Sequence, residues 1–232
     1  MEVYEAIFKR RDIRHFRPDP VPPETLRKIL EAAHHAGSVG FMQPWNFIVI
    51  ESSEVRKKVK EVFEEQNGRA AENYEGGRKK LYRSLKLEGI MESALNLCVT
   101  CDRERKGPHV LGRNSVTETD VYSTCCAIQN LWLAARAEGV GIGWVSIMDH
   151  AALRKLLNIS DRVLPVAYLC VGYPVEFKDT PMLEEAGWEK RMGLEDLIFS
   201  NEWGTPWNGK KRAAKKTAAD RLADRGLQRG RR

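Results

Sequence analysis

The sequence predicts a mixed helix-and-sheet domain, with helices packed around a central sheet and a short basic tail behind it. Three observations predict it. Short runs of β-branched and apolar residues alternate with longer stretches of helical periodicity. At 232 residues the chain suits one domain better than two, and it is long enough to bury roughly 70% of the surface its unfolded form exposes. A hydrophobic fraction of 42% beside 30% charged residues excludes disorder throughout.

The first element is a short helix in EVYEAIFKRR, where Val3, Ala6 and Ile7 share a face and basic residues end the run. A turn at Pro18 to Pro20 follows. Behind Pro22 and Pro23, Leu26, Ile29, Leu30 and Ala33 repeat on one helical face until Gly37. Asn46 to Ser52 is short and β-branched, a strand, and Ser53-Glu54 opens a charged amphipathic helix. Residues 66–90 are polar and aperiodic, which predicts a loop or mobile helical insert able to act as a lid; whether it closes over a ligand is open. Ala94 to Cys101 and Ile142 to Ile147 read as buried strands separated by a long helix from Thr119 to Ala137. Val163 to Val171 is a further strand, interrupted by Pro165. Periodicity does not decide whether the sheet is antiparallel.

Charge is unevenly placed. The chain carries +6, but residues 209–232 hold ten Lys/Arg and two Asp/Glu, so this tail carries +8 and residues 1–208 carry −2. The domain is therefore expected to span 1–208, with 209–232 a flexible basic appendage too poor in apolar residues to order itself. A nearly neutral folded part argues against nucleic acid as the principal ligand. An odd set of five cysteines and no cationic apolar leader point to a reducing cytoplasm. The longest apolar run, Val163 to Val175, is broken by Pro165 and Gly172, so no membrane partner is expected. His34 and His35 are adjacent and face different ways, and Cys98 and Cys101 sit on opposite faces of a strand, so neither pair suggests a metal or redox site. Ile128, Leu131 and Trp132 read as core or dimer-interface residues.

Four stretches suggest chemistry. Arg10-Arg11-Asp12-Ile13-Arg14 sets three guanidinium groups around one carboxylate, and arginine's planar fork suits phosphate, although a solvated charge cluster reads the same way. Ser38-Val39-Gly40-Phe41-Met42-Gln43-Pro44-Trp45-Asn46-Phe47 combines apolar side chains with amides, the composition of a pocket for a planar ring, or of a loop folded onto the core. Gly139-Val140-Gly141-Ile142-Gly143-Trp144-Val145-Ser146 lacks the strand–turn–helix setting and spacing of a dinucleotide fingerprint, and close backbone packing along the edge of a bound ring explains its glycines better. Arg191, ahead of Glu195, is a late basic residue that either reaches a phosphate or pairs along a helix face.

The first two stretches resemble, in order and spacing, the nitroreductase family of flavoproteins. The segments AAHHAGSVGFMQPWNF, YRSLKLEGI, TDVYSTCCAIQNLWLAARAEGVGIGWVSI and YPVEF resemble the family's 5,6-dimethylbenzimidazole synthase branch, over about residues 3–207. The resemblance implies an α+β flavoprotein fold, a mostly antiparallel central sheet flanked by helices, and an intertwined homodimer with sites built from both chains. It implies that reduced FMN is substrate and dioxygen co-substrate. The products include 5,6-dimethylbenzimidazole, the lower ligand of cobalamin, and erythrose 4-phosphate, and a separate flavin reductase supplies the reduced flavin. The implied FMN-binding residues are Arg10, Arg11, Asp12, Ile13, Arg14, Ser38, Met42, Gln43, Pro44, Asn46, Leu85, Gly143, Trp144, Val145, Ser146 and Arg191. Of these, Asp12 is the implied proton carrier and Ser146 the hydroxyl beside the reacting oxygen. Ordinary nitroreductases typically carry Ser where this chain has Asp12. That departure weighs against the alternative of an NAD(P)H-dependent nitroreductase or flavin reductase.

Overall fold

In the computed structural model, which describes residues 1–207, the elements run α1 (Val3–Lys9), α2 (Pro23–His34), β1 (Trp45–Ile50), α3 (Ser53–Ala71), α4 (Gly76–Ser84), β2 (Leu95–Asp102), α5 (Thr119–Ala137), β3 (Gly141–Val145), α6 (His150–Leu156), β4 (Val163–Gly172) and α7 (Met182–Glu185). The strands form one sheet in the order β1-β2-β4-β3, with every neighbouring pair antiparallel. The α+β expectation holds. β1 and β3 are the two edges, three strand spacings or roughly 14 Å apart.

Two apolar clusters cover the two faces. Ile29 and Ala33 of α2 and Ile128, Leu131 and Trp132 of α5 pack with Leu95, Leu97 and Val99 of β2. On the other face, Val59 and Phe63 of α3 and Leu153 of α6 pack with Cys98, Tyr168 and Cys170. Alternation along β2 therefore sends Cys98 and Cys101 to opposite sides, and all five cysteines are free. Local chemistry starts and stops the helices: the Ser52 hydroxyl accepts the Val55 N–H at 3.4 Å ahead of α3. The Asp149 carboxylate accepts from the Ala151 and Ala152 N–H groups ahead of α6.

Two elements refine the sequence reading. Residues 66–90 are not the loop but the helical alternative offered beside it: α3 continues to Ala71 and α4 fills Gly76–Ser84. Their faces bury so few residues, Val59, Phe63 and Ala71 on α3 and Tyr82 on α4, that the apolar period is faint. Nor does Pro165 interrupt β4. Val99 pairs with Ala167 and Thr100 with Pro165, so a bulge at Val166 accommodates the residue that lacks an N–H.

Contacts divide the chain into Met1–Trp188 and a second unit from Glu189 onward. The basic tail expected at 209–232 lies outside the described residues. Among the described residues, no helix is long and apolar enough to cross a membrane.

Candidate functional site

The segment after α1 lies along the open edge of β3. Asp12 bridges Ile142 in parallel fashion, and the Ile13 N–H donates to the Ile142 carbonyl at 2.9 Å. Glycine is required beneath it, because a Cβ on Gly143 would sit 2.1 Å from the Ile13 carbonyl oxygen and 2.8 Å from Arg14 Nη1. The close packing is thus that of Gly141 and Gly143 against the chain's own Ile13 and Arg14, whereas a Cβ on Gly139 would meet nothing within 4 Å. Side chains finish what the strap begins: Asp12 Oδ1 accepts the Trp144 N–H at 2.8 Å, and Arg14 Nη2 donates to the Trp144 carbonyl at 2.8 Å. Arg14 also pairs with Asp12 Oδ2.

This pair has unequal partners. Arg14 is buried, yet its Nε and Nη1 have no partner. Buried donors left unmatched cost free energy, and an anionic oxygen is the acceptor they fit best. Asp12 is half-buried. Burial pushes its carboxyl above the ordinary aspartate range, outweighing the opposing pull of Arg14 and of the Trp144 N–H. Beside them opens a cavity of about 220 Å³ lined by residues 11–15 and by Val175, Glu176, Lys178, Thr180 and Met182. Arg11 is largely committed elsewhere, donating to the Phe8 and Arg10 carbonyls at 2.7 Å and to Asp179, although its Nε is unmatched. Arg10 stacks on Trp132, 4.5 Å from the ring centroid.

The loop Ser38–Asn46 leads into the opposite edge strand, β1. Gly40, Phe41 and Gln43 have φ of +59°, +49° and +50°, left-handed positions on either side of a right-handed Met42, and two of the three are not glycine. Met42 is wholly buried as the loop's anchor, whereas Phe41 is 76% exposed. The Ser38 hydroxyl accepts the Gln43 N–H at 3.0 Å, and Asn46 Nδ2 donates to the Thr100 hydroxyl at 3.2 Å. One chain thus gathers Asp12, Ile13, Arg14, Gly143 and Trp144 on one edge of the sheet and Ser38, Met42, Gln43, Pro44 and Asn46 on the other.

Val145 is buried at the end of β3, and Ser146 is exposed beyond it, bordering a small cavity of about 110 Å³ with Met148, Leu153, Ala167 and Tyr168. Leu85 caps α4 and is half-buried. Arg191 belongs to the second unit and is exposed there. Sequence reasoning missed Lys178 and Thr180 on the cavity wall, and it missed Arg105, whose Nη1 donates to the Gln43 carbonyl at 2.8 Å and the Trp45 carbonyl at 3.1 Å. No motif marks Arg105: it sits in the charged run DRERK, and its partners are some sixty residues away.

Fold and site together define the nitroreductase-like class of α+β proteins. Solved structures share the fold: the NADPH:FMN oxidoreductase of Vibrio harveyi, complexed with NAD+, superposes with a TM-score of 0.66 at 18% identity over 98% of this chain and 85% of that one. An iodotyrosine deiodinase bound to FMN and 3-iodo-L-tyrosine gives 0.64 at 24% identity over 76% of this chain and 92% of that one. The chain belongs to the nitroreductase family, whose model matches residues 7–173. Within it, the 5,6-dimethylbenzimidazole synthase of Rhodospirillum rubrum is 42% identical over 81% of this chain and 89% of its own length. A protein of the same name from Rhodobacter capsulatus is 40% identical over 82% and 92%. The likeness to the synthase branch is therefore borne out.

Proposed function

We propose that this chain is a 5,6-dimethylbenzimidazole synthase that uses dioxygen to fragment reduced FMN, releasing 5,6-dimethylbenzimidazole for the lower ligand of cobalamin together with erythrose 4-phosphate. The observation that carries the reading is the Asp12–Arg14 pair on the edge of β3. A buried guanidinium with two unmatched nitrogens is fitted to a phosphate, and a carboxyl with a raised pKa stands beside it, suited to carry protons. Relatives at 40–42% identity carry the synthase name.

Bound reduced FMN supplies the electrons and the ring atoms of the product, and dioxygen is the oxidant. The chain's residues do the rest. Arg14 and Arg10 hold the phosphate, with Arg11 and Ile13 shaping the strap. Ser38, Met42, Gln43, Pro44, Asn46 and Leu85 frame the ring from one side, and Gly143, Trp144 and Val145 from the other. The Ser146 hydroxyl orients the oxygen, and the Asp12 carboxyl takes up and returns protons, helped by the burial that raises its pKa. Excluding water from the ring favours productive fragmentation over simple flavin oxidation.

Because the two halves of this constellation lie on opposite sheet edges, the site is completed by a second copy of the chain in an intertwined homodimer. Tyr4 and Phe8, 70% exposed each and stacked on one another on α1, offer an apolar face for that contact. A separate reductase supplies reduced flavin, and five free thiols match a reducing cytoplasm. The test is to mix the protein with chemically reduced FMN and air and to analyse products by mass spectrometry. Dimethylbenzimidazole is expected. Recovery of oxidised FMN alone, with steady NAD(P)H turnover when flavin is added, would instead support the reductase reading.

A further inference from the structure

We propose that Arg105 is the positioning residue of the Ser38–Asn46 loop, holding it in the left-handed geometry that meets the flavin ring; the proposal rests on the reading above that this loop frames the ring. Arg105 stands in the turn after β2, its N–H donating to the Asp102 carbonyl at 3.3 Å. From there one planar guanidinium reaches three acceptors: Nη1 bonds the Gln43 carbonyl at 2.8 Å and the Trp45 carbonyl at 3.1 Å, and Nη2 bonds Asn46 Oδ1. The neighbouring Asp102 N–H donates to the Pro44 carbonyl at 2.7 Å. The end of β2 therefore grips each of residues 43 to 46.

Such a grip is needed because the loop is costly. Phe41 and Gln43 carry side chains at φ of +49° and +50°, a region that residues other than glycine occupy only when surrounding contacts enforce it. Gly40 admits no side chain, since its φ is +59° and a Cβ there would meet the Leu111 carbonyl oxygen at 2.6 Å. Arg105 also fixes the Asn46 amide. With Oδ1 held by Arg105 and Nδ2 donating to Thr100, the amide's orientation is set, leaving one Nδ2 hydrogen and one Oδ1 lone pair for a ligand. Lysine is a poor substitute, because one ammonium does not reproduce a flat fork spanning two carbonyls and an amide. Arg162 provides the control: it lies 3.7 Å from Asp102, as Arg105 lies 4.0 Å from it, and its ion pairs are with Asp102 and Glu104 rather than with the loop.

The experiment compares Arg105→Gln, Arg105→Lys and Arg162→Gln in the full chain, by FMN fluorescence titration, by amide exchange without flavin, and by benzimidazole formed per flavin oxidised. Arg105→Gln is expected to weaken FMN by ~10-fold or more and to speed exchange of the Gln43 N–H, since buried acceptors lose a charged donor. It also lowers product per flavin at saturation, while Arg105→Lys falls between and Arg162→Gln stays within about twofold of the parent. Should Arg105→Gln fail to fold, Arg105→Lys carries the same comparison. Parental FMN affinity with unchanged Gln43 exchange in the Arg105 variants overturns the proposal, as does an equal loss in Arg162→Gln. A parent chain that binds no FMN defeats the functional reading instead, while the flavin-free exchange still judges the clamp.

Discussion

At the scale of single residues, Arg14 makes the sharpest claim. If its unmatched Nε and Nη1 receive a phosphate, each charge-assisted contact is worth ~1.5–3 kcal/mol, and riboflavin, which lacks the phosphate, should bind at least ~10-fold more weakly than FMN. Equal affinities by fluorescence titration would remove the phosphate role. Gly143→Ala forces a Cβ into the Ile13 carbonyl at 2.1 Å, so the strap must lift from β3. FMN affinity should fall ~10-fold or more while the far-UV spectrum survives. Asp12 gives a pH signature. Its pKa is raised on folding, so the folded chain holds this proton more tightly than the unfolded one. The stabilisation is complete below the ordinary value of 3.8 and is lost as pH rises through the elevated one. Melting temperatures of the ligand-free protein should carry this downward slope, and Asp12→Asn should flatten it.

At the scale of elements, helix α5 was legible in full, from Thr119 to Ala137, because a long apolar stripe is bounded by Glu138-Gly139, and Gly139 takes φ +73°. Its core role is testable: Leu131 is wholly buried, so Leu131→Ala should cost ~2–5 kcal/mol by denaturant titration. A loss below about 1 kcal/mol would mean that the site collapses without a cavity. Residues 66–90 were only half legible, as a loop or a helical insert, for the opposite reason, since two charged helices each bury little. The strap of residues 12–14 on β3 was equally hidden. Periodicity reports which face of an element is buried, whereas a bridge between Asp12 and Ile142 joins residues 130 positions apart. The motif singled out Asp12 and Arg14 as candidates, but the pairing that aims them at Trp144 needed coordinates.

At the scale of the whole molecule, the fold class and the family were readable because several motifs stand in order along one chain, and through that resemblance so was the mostly antiparallel sheet, which periodicity alone left open. The tail should matter little. Deletion of residues 209–232, which carry charge but few apolar groups, should leave melting temperature and product formation unchanged, and loss of soluble protein on truncation would contradict this. The central claim is that a carboxyl at position 12 turns a flavin site into one that dismantles its flavin, and the direct measurement is Asp12→Asn beside the parent chain, given chemically reduced FMN and air. The amide keeps an oxygen for the Trp144 N–H and leaves the Arg14 charge to the phosphate, so FMN should bind as tightly as before. Dimethylbenzimidazole should nevertheless fall by ~10²-fold or more while flavin oxidation continues. Dimethylbenzimidazole made by Asp12→Asn at the parental rate would contradict the account, leaving Asp12 no more than a structural partner of Arg14.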